Sequence, residues 1–358
     1  MSYGPFQIVE CQGTPYEIGL AHGQQAAEKI KRNIAVYDEM FQLWSNLTWD
    51  EAKKRADKYR RHIEAEEPQL IEEMKGIADG AGVTLEDIIT LNTRSEVVFA
   101  QTSDACTAFV VTPEASANGH VLIGQNWDWR EPIKDNLIIL KIQQVGKPSI
   151  FMVTEAGILG KIGFNSSGLA VMLNALVVLG DPDGLPLHIV LRRILDSTLL
   201  NDALDKINGY RVAGPGNYLM AQKDGCALTV EKTPEAWDYR YADDGILVHT
   251  NHILSPRLQL QIKDLGPDRL PDSIVRYHEM LKMLKAKKGE ITVEYIKQCL
   301  RTHHQFPQGI CHHVDKNAKP ANHFMTDFSI ITDLNTGEVW LTLGPPCESE
   351  YSHYDIHF

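Results

Sequence analysis

The thiol of Cys106 heads the stretch SDACTAFVV at residues 103–111, where an aspartate and a small residue give way to an apolar run. Two readings stand side by side for it. A free cysteine most often behaves as a small hydrophobe filling a strand, whereas a cysteine with an activating base is a nucleophile. Context keeps the second reading open. The chain switches from helical to extended patterning at this point, and the run GQNWDW, carrying Asp128, follows on the next expected strand. A thiol on one strand and a carboxylate on its neighbour can meet at one sheet edge. The other five cysteines, Cys11, Cys226, Cys299, Cys311 and Cys347, form no C-x-x-C pair. They read as reduced core residues rather than as a disulfide framework.

Histidines are the next chemical candidates. His249 and His252 precede a denser group at His303, His304, His312, His313 and His323. A metal site needs three or four ligands converging at fixed geometry, and this spacing matches no H-E-x-x-H or similar pattern. The histidines are therefore expected to be solvated or structural, with no metal centre. GPGN at 214–217 and the glycines of GILGKIGFNSSG at 157–168 lack the strand-to-helix context of a phosphate loop and read as turns and bulges. No G-x-S-x-G nucleophile elbow is present.

The elements that must position these groups follow from periodicity. Ile30, Ile34, Tyr37, Phe41 and Trp44 recur every three or four positions and predict a long helix with one apolar stripe. TWDE at 48–51 is a capping-box pattern opening a charged, surface-lying helix. Leu70, Met74 and Ile77 mark a third helix, ending at DGAG, and another begins near Thr84. From residue 106 the segments CTAFVV, HVLIGQNWDW, NLIILKIQQ, SIFMVTEAG, KIGFNSSG and LAVMLNALVV read as consecutive strands. Their short separations favour antiparallel pairing. Two helices follow, HIVLRRILDS and NDALDKING, then a hairpin turning at Asp224–Gly225. Strands near 238–250, helices near 273–287 and 292–303, and a last strand pair around NTGE complete the chain. Runs of strands between runs of helices indicate α+β layers rather than a doubly wound sheet, in one domain over 1–358.

The net charge of −12, with lysines and arginines scattered, argues against a nucleic-acid surface. No stretch approaches the roughly 18 apolar residues of a membrane span. The N-terminus lacks the basic and then apolar run of a secretory signal. With no such signal, the N-x-S/T patterns at Asn46 and Asn165 read as chance. The C-terminal DIHF is not an S-K-L type address. The expected location is intracellular and cytoplasmic.

CQGTPYEIG, LNTRSE, DACTAF, GQNWDW, NLIILKI, TEAGILGKIGFNSSGLAV and VHTNH occur in this order over most of the chain. Together they resemble the isopenicillin N acyltransferase family, whose founding members are acyl-CoA:6-aminopenicillanic acid acyltransferases. More distantly the chain is similar to penicillin V acylases and bile-salt hydrolases. The resemblance implies a four-layer αββα sandwich of the N-terminal nucleophile hydrolase type. It also implies a precursor that cuts itself between Ala105 and Cys106 into chains 1–105 and 106–358. Cys106 would then be the nucleophile, with its own α-amino group as base. Asp128 would orient that amino group, and the Asn251 amide would donate to the oxyanion. Trp129 and Arg130 would lie near the acyl pocket, where a guanidinium favours a polar or acidic acyl group unless it points to solvent. Arg94 and Glu96 would form an ion pair close to the cut.

Two positions depart from the family pattern. Ala105 stands where glycine is commoner, which implies slower or incomplete processing, and His312 stands where the family has an arginine. The implied activity is acyl transfer between amide or thioester donors and an amine or water. Small-molecule acyl donors and amine acceptors are the expected partners, with acyl-CoA as co-substrate, no cofactor, no nucleic acid and no membrane. Two alternatives remain: an amidohydrolase that makes no use of acyl-CoA, and an uncleaved, non-catalytic binding relative.

Overall fold

Three threonines start the helical half of the chain. Thr14, Thr48 and Thr84 each accept the backbone N–H three residues on, while Glu17, Glu51 and Asp87 reach back to the cap. These capping boxes open the helices Pro15–Ser45, Trp49–Glu66 and Leu85–Asn92. A fourth helix, Pro68–Ala81, begins on a proline, whose missing N–H would have no helical partner there. The first and fourth of these pack glycine on backbone. A Cβ added at Gly19 would sit 1.9 Å from the Glu73 carbonyl oxygen, and one at Gly76 would sit 2.2 Å from that of Tyr16. Alanine normally stabilises a helix interior by about 0.5–1 kcal/mol over glycine. Here the close approach of two backbones reverses that preference.

The computed structural model describes residues 4–98 and 105–358. Within them the strands are β1 (Gln7–Gly13), β2 (Ala105–Val111), β3 (Leu122–Arg130), β4 (Leu137–Gln144) and β5 (Ile150–Glu155). Next come β6 (Ile162–Asn165), β7 (Leu169–Ala175), β8 (Gly216–Gln222), β9 (Ala227–Lys232) and β10 (Trp237–Tyr241). The last four are β11 (Ile246–His249), β12 (Phe324–Asp333), β13 (Glu338–Leu343) and β14 (Ser352–Asp355). One sheet has the order β1-β4-β5-β6-β7-β8-β9-β10, and the other β11-β2-β3-β12-β13-β14.

Pairing is antiparallel as expected, with one difference: β1 runs parallel to β4. The first hundred residues were read as helical, and β1 is a strand. QIVECQG offers only Ile8, Val9 and Cys11 as apolar residues, and its partner lies some 130 residues away at 137–144.

Side-chain alternation divides the layers. Ala108 and Val110 join the core between the sheets, with residues of β4, β5, β7 and β8. Phe109 and Val111 face the other way, packing with Met280 and Leu284 of the Asp272–Ala286 helix and with Ile296 and Leu300 of the Val293–Leu300 helix. The Pro15–Ser45 and Leu187–Leu195 helices pack on the eight-stranded sheet. The result is an α+β sandwich in four layers, αββα, as expected. Ile30, Tyr37 and Phe41 from before residue 105 and the strands after it share one core. No helix among the described residues is long and apolar enough to cross a membrane.

Candidate active site

Cys106 takes its place from the β2–β3 register. Cys106 is paired with Trp127, and Ala105 with Asp128. Alternation puts the Cys106 side chain in the inter-sheet core with Ala108 and Val110. The Asp128 side chain therefore lies on the opposite face of the sheet, the face covered by the Asp272–Ala286 helix. Thiol and carboxylate do not stand side by side at a sheet edge. What they share is the Ala105–Cys106 peptide bond, with Cys106 below and Asp128 across from it. Ala105 is buried and begins β2.

Both backbone groups of Cys106 are held by side chains. Its N–H donates to Asn251 Oδ1 at 2.8 Å, and its carbonyl accepts from Arg276 Nη1 at 2.6 Å. Asn251 follows β11, and its own N–H donates to Ser273 Oγ at 2.7 Å. Arg276 is buried and uses every side of its guanidinium. Nη1 also donates to Thr107 Oγ1 at 3.1 Å, Nη2 donates to Asn251 Oδ1 at 3.0 Å, and Nε donates to Asp272 at 2.7 Å. Sequence reasoning missed Arg276. Its one signal is an Asp272/Arg276 pair at i,i+4, a spacing common on exposed helix faces.

The Asn251 side chain sits differently from the expectation. Its oxygen faces the Cys106 N–H, and its Nδ2 donates to the Ala175 carbonyl at 3.0 Å, at the end of β7. An amide nitrogen carries two protons, so the Ala175 bond does not exclude donation to an oxyanion.

Asp128 is wholly buried and accepts from Thr326 Oγ1 at 2.6 Å, while its Oδ2 has no hydrogen-bond partner among the described residues. Burial pushes its pKa up to about 7, against the pull of the Arg276 charge and the Thr326 hydroxyl. His312 stands directly behind this arrangement, its N–H donating to Thr326 Oγ1 at 2.9 Å. Burial lowers the His312 pKa to about 4, so the imidazole is neutral at pH 7. It does not replace the cation of the family arginine. Arg276, from a different element, is a buried cation bonded to the Cys106 carbonyl.

A cavity of about 380 Å³ opens beside these groups, its lining including Trp44, Leu270 and Phe324 together with Arg269, Asp272 and His312. Among the described residues the lining includes neither Trp129 nor Arg130. Trp129 stands behind the apolar wall, its ring 5.5 Å from Trp44 and 5.8 Å from Phe324, with Nε1 donating to Tyr37 Oη at 3.1 Å. Arg130 is half-buried, and burial lowers its pKa. Arg94 pairs with Glu155 at 3.1 Å, and Glu96 Oε1 accepts the Leu187 N–H at 2.7 Å. Although burial works against it, the Glu155 carboxyl is held well below the usual carboxylate range by Arg94 and Lys161. The Lys161 ammonium lies 3.5 Å from the centre of the Trp127 ring, opposite Cys106. Elsewhere the histidines are not all solitary: His303 and His313 converge with Cys311 and Cys347.

Residues 115–348 match the family model of acyl-coenzyme A:6-aminopenicillanic acid acyl-transferase. Over 346 residues the chain is 35% identical to the 40 kDa form of acyl-coenzyme A:6-aminopenicillanic-acid-acyltransferase from Emericella nidulans, spanning 94% of this chain and 92% of that protein. The chain belongs to this acyltransferase family. Among solved structures, a conjugated bile acid hydrolase variant from Clostridium perfringens has a TM-score of 0.48 at 13% identity, covering 70% of this chain and 97% of its own. Penicillin V acylase from Agrobacterium tumefaciens has a TM-score of 0.47 at 14% identity, covering 66% and 83%.

In this acyltransferase-family chain the raised pKa of Asp128 makes a stability prediction. A folded value of about 7 lies above the unfolded value of about 3.9, so the folded chain binds the extra proton between them. The contribution is fully present below pH about 4 and is lost as pH rises through 7. Buried His312, with its pKa lowered, contributes the opposite slope, so the Asp128 part is read as a difference. In urea unfolding, the stability gained by adding Asp128→Asn to an uncleaved Cys106→Ala chain should grow from pH 5 to pH 7. Adding Asp128→Asn should remove this part of the slope and raise stability at pH 8 by a few kcal/mol, each tenfold in the protonation equilibrium being about 1.4 kcal/mol.

Proposed function

We propose that this chain cuts itself between Ala105 and Cys106 and then moves acyl groups through a thioester on Cys106. The observation that carries the reading is the clamp on the Cys106 backbone, with Asn251 at its nitrogen, Arg276 at its carbonyl and buried Asp128 opposite Ala105. The Cys106 N–H lies past the last β11 pair, His249 with Ala108, and the Asn251 side chain satisfies it there. An α-amino group freed at this position would keep that acceptor.

In the first step the Cys106 sulfur attacks the Ala105 carbonyl carbon. The C–N bond breaks, the nitrogen keeps the electron pair and takes a proton, and Ala105 is left as a thioester on Cys106. Water opens that thioester, releasing the Ala105 carboxylate and the thiol. The new α-amino group, with an ordinary pKa of about 7.7–8.0, is now beside the thiol it can deprotonate. It inherits the Asn251 Oδ1 acceptor, and its positive form would lower the pKa of Asp128 across the strand.

In turnover the thiolate attacks the acyl carbonyl of an amide or thioester. The amine or thiol leaves with a proton, and water or an amine then takes the acyl group from sulfur. Asn251 Nδ2 serves the oxyanion alongside its Ala175 contact. One such donor is typically worth about 3–4 kcal/mol in the transition state. The cavity beside Asp272 and His312, on the Asp128 side of the strand and without Cys106 in its lining, would receive the acceptor end of the substrate. Its mixture of Arg269, Asp272 and Asp315 with Trp44 and Phe324 suits an acceptor that carries charge at one end and an apolar body.

Intact mass after incubation with an acyl-CoA tests the proposal. The expected result is two polypeptides of 105 and 253 residues, with the acyl group added to the larger. Adding an amine should yield an amide if transfer dominates, whereas acceptor-independent thioester loss would identify a hydrolase. A wild-type protein that remains one chain, with Cys106 unlabelled by a thiol-reactive acyl probe, would overturn the catalytic reading.

A further inference from the structure

Four side chains from three separate segments meet on the helix-covered side of the six-stranded sheet. His303 lies three residues past the Val293–Leu300 helix, Cys311 and His313 lie on the loop that follows, and Cys347 lies in the turn after β13. One ligand atom from each falls within 4.8 Å of all the others. His313 Nε2 is 3.1 Å from His303 Nε2, 3.5 Å from Cys311 Sγ and 3.3 Å from Cys347 Sγ. The two sulfurs are 3.5 Å apart.

Hydrogen bonding does not account for this. A neutral imidazole nitrogen carries either one proton or one lone pair, so His313 Nε2 can satisfy one of its three neighbours. A single cation at the centre satisfies all four at once. Zinc bonds of about 2.3 Å to sulfur and 2.0–2.1 Å to nitrogen give a tetrahedron with edges of about 3.8 Å between sulfurs, 3.4 Å between nitrogens and 3.5 Å between unlike atoms. The four measured edges lie within a few tenths of an ångström of these values.

We propose that His303, Cys311, His313 and Cys347 bind one zinc ion. Two thiolates and two imidazoles select zinc over magnesium or calcium, which prefer oxygen ligands. Four protein ligands leave no open position, so the site is structural rather than catalytic. The surroundings fit that use. Glu348 Oε1 stands 3.4 Å from His313 Nδ1, where a carboxylate orients a ligating imidazole. The Phe306 ring packs 5.9 Å from His303 and 5.2 Å from His313, covering one side.

The ion would tie the 303–313 loop to the end of β13, and through it hold the site. Cys311 and His313 flank His312, whose N–H reaches Thr326 and so Asp128. Asn126 on β3 donates to the Ile310 carbonyl at 2.8 Å from the other direction. The metal thus fixes the loop behind the Asp128 carboxylate without touching the reacting atoms.

Metal analysis of the full-length protein, purified under reducing conditions and dialysed against metal-free buffer, tests this. The expected content is about one zinc per chain. Cobalt substitution should give intense thiolate-to-cobalt absorption, lost in Cys347→Ser and in His303→Ala. His304→Ala, beside the set but outside it, should keep the metal, which separates ligand loss from misfolding. Zinc removal should lower Tm, and zinc readdition should restore it. Both thiols reacting freely with no zinc taken up on reconstitution would overturn the proposal. So would a mass 2 Da low with no metal, which would mark a Cys311–Cys347 disulfide.

Discussion

Cys106→Ala is expected to purify as one 358-residue chain and to show no acyl transfer above background. The methyl group occupies the same buried inter-sheet position as the thiol, so the fold should persist. No atom then remains to attack the Ala105 carbonyl, and no α-amino group forms. Removing a nucleophile that works as a unit with its base typically costs on the order of 10⁶ in kcat. The check is intact mass and turnover measured together. A Cys106→Ala protein that still splits after Ala105 would assign the cut to another protease, and residual activity equal to wild type would remove Cys106 from the chemistry. The Ala105 methyl enters here as well. It adds bulk where the backbone must bend toward the sulfur, so the wild-type protein should show a slow rather than an instantaneous split.

Arg276→Ala is expected to lower kcat/KM at least about 10²-fold, the scale of losing one positioned donor at a reacting centre. Four groups lose a partner together: the Cys106 carbonyl, Thr107 Oγ1, Asn251 Oδ1 and Asp272. The Arg276 side chain is 1% exposed and that of Asp272 10% exposed, so the ion pair is largely buried. Breaking one partner of a buried ion pair typically costs about 3–5 kcal/mol, and urea unfolding in the Cys106→Ala background should show a loss on that scale. Arg276→Lys should fail to restore turnover. An ammonium has three donors at one point, whereas the guanidinium spreads its contacts over Nε, Nη1 and Nη2. Recovery of wild-type kinetics by lysine would reduce Arg276 to a point charge.

The site is legible in the sequence to very different degrees at its different residues. Cys106 stands out because a change of periodicity is a local signal: apolar alternation begins at that position and is visible without any partner. Asp128 is legible as the acidic residue of NWDW on the next expected strand, and the short separation between CTAFVV and GQNWDW favours antiparallel pairing. Their sequence does not say that register sets Asp128 against Ala105, or that alternation turns the Cys106 and Asp128 side chains to opposite faces. Those follow only once β2 and β3 are paired residue by residue.

Sequence by itself carried the capping box at 48–51, the run of strands and the α+β class, and it marked Cys106, at the switch from helices to strands, as the candidate nucleophile. Each of these is written in spacings of two to four residues, the range over which a backbone repeats. Tertiary structure decided the rest. β1 becomes a strand by pairing with residues 137–144. Arg276 becomes the cation of the site by reaching Cys106 from 170 residues away. His303, Cys311, His313 and Cys347 become one cluster because the turn after β13 returns to the loop that follows the Val293–Leu300 helix. Convergence of this kind leaves no period in the sequence, since the contacts depend on how layers stack and not on how far apart the residues lie along the chain.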